Sequence, residues 1–246
     1  MQQGKIDRLS VLIERSQKIV FIGGAGTSTE SNIPDFRSAG GLYSKDSGLN
    51  VPPEEILSIG FFNKRTEDFY NYYRKNLIYP DAQPNKAHVA LVELERMGKL
   101  KAIITQNIDG LHQMAGSMNV IEIHGSLHRS YCINCGKTYT LEEVLSAKGV
   151  PYCDVCGEVV RPDVVMYGEA LNSTLIEQSV AAIEEADLLI VGGTSLLVYP
   201  AAGLIRRFYG DDLVIINMTP TRYDHLASMI FTNPIGDVLE KAVFLK

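Results

Sequence analysis

The sequence predicts an α/β fold, a parallel sheet covered by helices on both faces, with length to spare for a small insert. Three observations carry that prediction. Short apolar runs such as Ile19-Val20-Phe21-Ile22 and Leu213 to Ile216 alternate with segments of helical apolar spacing. Several runs have no polar face, which suits strands buried on both sides. Polar motifs also recur just after these runs, where parallel strands open onto a ligand crevice. The chain has 246 residues and is 46% hydrophobic, enough for a sizeable core.

In chain order, Ile6, Leu9 and Ile13 predict a first helix, and an apolar strand runs to about Gly23. A loop marked by Pro52-Pro53 follows. Phe61 to Leu77 is aromatic-rich and predicted helical. Pro84 to Met97 is a clearer helix, with Ala87, Ala90, Leu91 and Leu94 on one face and Gly98 as its stop. Strands are expected at Ala102 to Thr105, Val120 to Ile123 and Val164 to Tyr167. A helix over Ser173 to Ala186 leads to a strand over Asp187 to Val191. Pro200 to Tyr209 is predicted helical, Leu213 to Ile216 a strand and Asp237 to Phe244 a closing helix.

Bulk properties narrow the function. Net charge is −6, from 23 basic and 29 acidic residues, so nothing draws the whole chain to nucleic acid. No apolar run reaches the roughly 18 residues that span a membrane. The N-terminal MQQGKIDRLS lacks a signal peptide's apolar core, so a cytoplasmic protein is expected.

The most informative stretch is Gly24 to Arg37, GAGTSTESNIPDFR. A buried strand that ends in glycines lets the backbone turn tightly and approach a pyrophosphate. Thr27, Ser28, Thr29 and Ser31 add hydroxyls, and Asp35, Phe36 and Arg37 a carboxylate, a ring and a guanidinium on the loop beyond. A glycine turn alone is common, so the continuation is what sharpens the signal.

Four cysteines form two C-x2-C pairs, Cys132/Cys135 and Cys153/Cys156, with 17 residues between them. That spacing fits a zinc ribbon. Four thiolates leave no open position, so one structural Zn²⁺ is expected rather than a catalytic one. Two disulfides are the competing reading, disfavoured in the cytoplasm. Nucleic-acid contact is a rival role for a ribbon, but the intervening GKTYTLEEVLSAKGVPY is no basic patch.

Thr105-Gln106-Asn107-Ile108-Asp109-Gly110-Leu111-His112 follows a predicted strand. Its amides and carboxylate suit a ribose or a carboxamide, and they equally suit an Asx turn that caps a helix. His124 stands at another strand end, where an imidazole can act as general base near neutrality. His88, His128 and His225 are read as packing or surface groups.

Together these motifs resemble the sirtuin family, the NAD-dependent protein deacylases. GAGTSTESNIPDFRS, TQNIDGLH, IHG at 123 to 125, the paired knuckles, RPDVVMYGE, GTSLLVYPAA, IIN at 215 to 217 and GDV at 236 to 238 stand in the family's order. The resemblance covers nearly the whole chain and suits a bacterial or archaeal catalytic core. It implies a Rossmann-like sheet plus a small zinc-ribbon domain. The large domain would take about 1–35, 80–128 and 163–246, and the small one 36–79 and 129–162.

The implied activity is NAD-dependent deacetylation of protein lysine, yielding nicotinamide and 2′-O-acetyl-ADP-ribose. A broader short-chain deacylase or a mono-ADP-ribosyltransferase on the same scaffold is the alternative. By position, Gly24, Ala25, Gly26 and Thr29 would cradle the NAD pyrophosphate, with Phe36 and Arg37 on the cofactor loop. Asn107, Ile108 and Asp109 would form the nicotinamide pocket, and Gln106 would hold the adjoining ribose. Thr194 and Ser195 would meet phosphate or ribose, Asn217 the adenosine ribose, and Asp237 and Val238 the adenine. His124, Asn107 and Asp109 would be catalytic, His124 by taking a proton from a ribose hydroxyl. An acetyl-lysine peptide would add as a strand between Val164, Val165, Tyr167 and Gly168 on one side and Leu196 and Val198 on the other. A monomer, no membrane and no strong nucleic-acid binding are expected.

Some residues depart from the family pattern. Thr27 stands where an aliphatic is usual, and Gly23 where a small hydroxyl residue is. Asn32 replaces a frequent glycine and should accept a left-handed backbone. Family members that remove succinyl groups use Tyr-x-x-Arg beside the acyl tunnel. Here Tyr70 is kept, Tyr73 takes the Arg position and Arg74 is one residue late. The tunnel is expected to be apolar, with Ile33, Phe36, Ile108 and Val165 in its wall and Tyr70 near its end. Two rivals explain less. A nicotinamide dehydrogenase expects a third glycine where Thr29 stands, and a non-enzymatic zinc ribbon leaves Gln106 to Asp109 and His124 without a role.

Overall fold

The structure is a computed structural model and describes residues 3–44, 46–198 and 201–244. Its strands are β1 (Ile19–Gly23), β2 (Leu100–Thr105), β3 (Val120–Glu122), β4 (Gly125–Cys132), β5 (Thr138–Thr140), β6 (Val160–Val164), β7 (Leu188–Gly192), β8 (Asp212–Ile216) and β9 (Met229–Phe231). Its helices are α1 (Gln3–Arg15), α2 (Pro53–Ile56), α3 (Ile59–Lys64), α4 (Thr66–Asn76), α5 (Lys86–Arg96), α6 (Leu111–Ala115), α7 (Leu141–Ser146), α8 (Ser173–Glu184) and α9 (Ile235–Phe244). None is long and apolar enough to cross a membrane.

Six strands form one parallel sheet in the order β3-β2-β1-β7-β8-β9. The alternation within each strand explains its two covered faces. Ile19 and Phe21 of β1, with Ile190 of β7 and Val214 of β8, pack under α1, α5 and α9. Val20, Ile22, Val191 and Ile215 pack on the other side under α8 and the 3-10 segment Ala201–Arg207. The order reverses between β1 and β7, so the loops after these two strands diverge and open a crevice.

A second sheet, β5-β4-β6, is antiparallel and carries the cysteines. With α2, α3, α4 and α7 it forms a third apolar cluster, built around Phe62, Phe69, Tyr70, Tyr73 and Val160.

Three expectations are corrected. Phe61 to Leu77 is two helices, because Arg65 leaves the helical region at φ −137°, ψ 52°. The bend sets the Phe69 ring edge-on to Phe62 at 5.0 Å. No glycine or proline marks it. The strand expected over Val164 to Tyr167 ends at Val164. Glu169 folds the chain back by accepting from the Met166 N–H at 2.9 Å and taking both guanidinium arms of the buried Arg161 at 2.8 Å. Tyr167 instead makes an isolated parallel bridge to Ser58. The segment after β7 is 3-10 rather than α-helical, and Pro200, its expected start, lies outside the described residues.

Two histidines behind the crevice form a buried pair. His88 accepts at Nδ1 from the Asn85 N–H as part of the α5 cap. Its ring centroid lies 4.7 Å from that of His112, on α6. His88 Nε2 and both His112 nitrogens are buried without a hydrogen-bond partner among the described residues. Burial lowers the pKa of His88 to about 4 and that of His112 to about 3. An unfolded chain binds these protons near pH 6.5, so acid favours unfolding. Stability should therefore fall as pH drops from about 6.5 towards 4. The variant His112→Phe keeps a ring without the proton site and should lose less stability between pH 7 and pH 5 in urea titrations. Equal losses in both proteins would place the acid sensitivity elsewhere.

Candidate active site

The crevice at the β1/β7 switch is the mouth of a cleft of about 1350 Å³. Its floor needs bare backbone. Gly26 N–H donates to the Gly193 carbonyl at 2.8 Å, and a Cβ on Gly193, whose φ is +59°, would stand 2.3 Å from Thr27 N. Gly24 N–H donates to the Gly192 carbonyl, and Gly24 lies against Thr194, behind the cleft wall. Asn32 takes the left-handed conformation expected of it, with φ 63° and ψ 20°. Main chain this close, lined by Ala25, Gly26, Ser28 and Thr29, fits a dinucleotide's pyrophosphate.

Residues after β2 converge on the same cleft. Gln106 donates from Nε2 to Thr194 Oγ1 at 3.2 Å. Ser28 Oγ donates to the Asp109 carboxylate at 2.7 Å and accepts from Asn107 Nδ2 at 2.9 Å. Because the serine proton goes to Asp109, the Asn107 atom facing it must be the amide nitrogen, which fixes that side chain's orientation. The second Asp109 oxygen accepts from the Leu111 N–H, so the Asx-turn reading of this segment holds as well. Burial pushes the Asp109 carboxyl up, against the bonds from Leu111 and Ser28.

His124 lies 3.0 Å from the Gln106 carbonyl through Nδ1. A carbonyl only accepts, so Nδ1 holds the proton and Nε2 keeps its lone pair. Burial lowers the His124 pKa, and the bond to Gln106 offsets part of that. The His124 main chain takes part too, its carbonyl accepting from the Val165 N–H at 2.9 Å.

Of the other expected residues, Phe36, Arg37, Ile108, Val164, Val165, Tyr167, Gly168, Ser195, Val198 and Asn217 line the cleft. Four expected contacts are not part of its wall. Gly24 and Leu196 are buried, Val238 is in the core, and Asp237 pairs with Lys86 at 3.5 Å. Ile33 does line the cleft, but Tyr70 is not at a tunnel end. It is fully buried and donates its hydroxyl to the Val160 carbonyl. Tyr73 is fully buried as well. Arg74 turns away, its guanidinium donating to the carbonyls of Val144, Ala147 and Gly149. Sequence reasoning missed Ser28 as a site residue. It is one of four hydroxyls in the turn, and nothing in the spacing separates it from the others.

The four cysteine ligand atoms lie within 4.8 Å of one another, with Cys132–Cys156 at 3.4 Å and Cys135–Cys153 at 3.5 Å. No disulfide joins them. Zn–S bonds of about 2.3 Å place tetrahedral sulfurs about 3.8 Å apart, so the cluster fits one Zn²⁺ with all four positions filled. Tyr139 donates its hydroxyl to Cys153 Sγ at 3.0 Å and so orients a ligand.

The comparisons agree with this geometry. The Sir2 family model matches residues 24–200. An NAD-dependent protein deacetylase of Clostridium acetobutylicum is 55% identical over 97% of this chain and 98% of its own. One from Clostridium perfringens is 52% identical over the same shares. A solved Sir2–p53 peptide–NAD+ complex superposes with a TM-score of 0.85 at 40% identity, covering 96% of each chain. A Sir2 structure with deacetylated p53 peptide and 3′-O-acetyl ADP ribose gives 0.88 at 39%, again over 96% of each. The chain belongs to the Sir2 family.

The zinc centre yields a direct expectation. Metal analysis should find about one zinc per chain. Cys132→Ala should lose it and unfold at lower temperature, because Cys132 is packed in the third cluster's core. Full metal retention in that variant would refute the ligand set.

Proposed function

We propose that this protein removes acetyl groups from lysine side chains in an NAD-dependent reaction, releasing nicotinamide, 2′-O-acetyl-ADP-ribose and the free lysine. The observation that carries this reading is the convergence of three strand ends on one cleft: the glycine turn after β1, the Gln106-to-Asp109 segment after β2, and His124 after β3. NAD, held along Ala25, Gly26, Thr29, Thr194 and Asn217, supplies the ribose that accepts the acetyl group.

The chain's own residues then have separable tasks. The Ser28-Asn107-Asp109 network fixes polar groups for a carboxamide at the cleft floor. Phe36 and Arg37, above it, shield the site from water. His124 stands neutral near pH 7, with Nε2 free to take a proton from a ribose hydroxyl. The saturated zinc has no open position and serves the small domain's structure. The division into 1–35, 80–128 and 163–246 against 36–79 and 129–162 remains our reading, supported by the separate third cluster. β4 and β6 cross its boundaries. We take the chain to act as a monomer on peptides that add as strands beside Val164 to Gly168. Tyr167 contributes its side chain only, because both its main-chain groups bond Leu57 and Ile59.

The direct test is to incubate the protein with an acetyl-lysine peptide, with and without NAD, and weigh the products. His124→Ala should cut turnover by roughly 10²–10⁴-fold and leave the fold intact. Near-full activity in that variant would remove His124 from the mechanism.

Acyl choice follows from the wall. Ile33, Phe36, Ile108, Leu127 and Val165 make it apolar, and each buried methylene gains roughly 0.8 kcal/mol. Acetyl, propionyl and butyryl peptides should react well. A succinyl carboxylate would be desolvated without Arg74 to meet it, so succinyl peptides should react poorly. Tyr73→Arg should not rescue them, since Tyr73 is enclosed by Phe69 and Tyr70. Equal acetyl and succinyl rates would mean that another cation reaches the acyl end.

A further inference from the structure

One contact joins the two halves of the proposed site. Residues 35–43 close into a loop over the cleft, with Leu42 N–H donating to Asp35 at 2.7 Å and Tyr43 N–H to Phe36 at 2.9 Å. The Tyr43 ring is the loop's hub. It lies 5.4 Å from the Phe36 ring, and the Arg37 guanidinium sits over it at 5.3 Å. Its hydroxyl is hydrogen-bonded to the Tyr167 hydroxyl, 124 residues away in the chain.

Tyr167 is itself firmly placed. Its N–H donates to Leu57 and its carbonyl accepts from Ile59, both at 3.0 Å. The turn that carries it is closed by Arg161 and Glu169. The loop therefore docks onto a segment whose position is set independently of it. That segment is the one beside which the peptide would lie. Burial and the bond to Tyr167 both raise the Tyr43 pKa, so the phenol keeps its proton near neutrality.

We propose that Tyr43 is a positioning residue: through the Tyr167 hydroxyl it ties the cofactor loop to the peptide-binding segment, so that peptide and the ADP-ribose half of the co-substrate each strengthen the other's binding. The proposal rests on the deacetylase reading. A peptide seated along Val164 to Gly168 packs on the exposed Tyr167 side chain, whose main chain is already fixed, and so holds the phenol that meets Tyr43 and keeps Phe36 and Arg37 over the cleft. By linkage, a nucleotide under the loop must favour the peptide by the same factor.

Binding can test this without turnover. Calorimetry would measure ADP-ribose affinity with and without a saturating acetyl-lysine peptide, in the wild type, Tyr43→Phe, Tyr167→Phe and the double variant. Phenylalanine keeps both rings and removes only the hydroxyls. In the wild type, peptide should tighten ADP-ribose binding by roughly 3- to 10-fold, about the worth of one hydrogen bond. Each single variant should lose that enhancement, and the double variant should lose no more than either. In turnover with saturating peptide, Tyr43→Phe should move KM for NAD more than kcat. Unfolding temperatures should stay close to wild type, which a purely structural role would not allow. Enhancement that survives in Tyr43→Phe, or losses that add in the double variant, would overturn the coupling. A wild type that binds both ligands without mutual enhancement would overturn it too, and leave the deacetylase reading standing. A wild type that binds neither would instead overturn that reading.

Discussion

The site depends on one close approach. The main chains after β1 and β7 meet at Gly26 and Gly193, with a 2.8 Å hydrogen bond between them and no room for a Cβ. The parallel sheet creates this place because its strand order reverses there. If either turn carried a side chain, the two loops would part and the floor of the cleft would fill. Thr194, which follows Gly193, would also move, and with it the acceptor that holds Gln106. From Gln106 the constraint reaches His124, whose tautomer is set by the Gln106 carbonyl. Thus a packing requirement between two glycines extends, through two hydrogen bonds, to the tautomer of the proposed base.

The proposed substrate side has its own anchor, the Arg161–Glu169 pair. Arg161 is 8% exposed and lies between the Phe62 and Tyr131 rings at 5.7 and 5.6 Å. A buried pair of this kind is weak evidence for stability, since desolvation offsets most of its attraction. Its geometry is more informative. The same guanidinium bonds the Val164 carbonyl at 3.0 Å, and the same carboxylate bonds the Met166 N–H. Arg161 and Glu169 thus fix the ends of the turn between them, and Tyr167 at its centre is held in place. Arg161 enters from β6, beside the cysteines, so the zinc sheet supports the wall of the cleft as well as its own small core.

Most of the large sheet was legible in the sequence because its strands are uninterrupted apolar runs, and runs of that kind have few other uses. β1, β2, β7 and β8 all fall within two residues of their expected ends. β4 was not legible. Its segment, GSLHRSYC, mixes buried and exposed positions without a period, and its partners come from the cysteine-bearing region. The break at Arg65 was hidden for a related reason. It exists to pack Phe69 against Phe62, and a tertiary requirement of that sort leaves no mark in local spacing. The strand expected through Tyr167 failed because β-branched and aromatic residues favour extension, whereas Glu169, two positions on, closes a turn through its side chain.

The candidate site was legible in its types more than in its contacts. The cysteines cluster as expected, and His124 and the glycines could be proposed from sequence because few residues can do their chemistry. Ser28 was not, since a hydroxyl among hydroxyls has no signature until the fold places it between Asn107 and Asp109. Arg74 shows the converse. Counted along the helix, it lies one residue from Tyr73, the position expected from sequence to face the acyl group and found buried in the fold. In the fold its guanidinium bonds the carbonyls at the end of α7, a helix last turn where a cation is favoured. Three carbonyls, those of Val144, Ala147 and Gly149, accept from the same guanidinium, which directs Arg74 to α7 and away from the cleft. A one-residue offset in sequence thus becomes a different interface in the structure, and Arg74 is absent from the cleft wall that Ile33, Phe36 and Ile108 line.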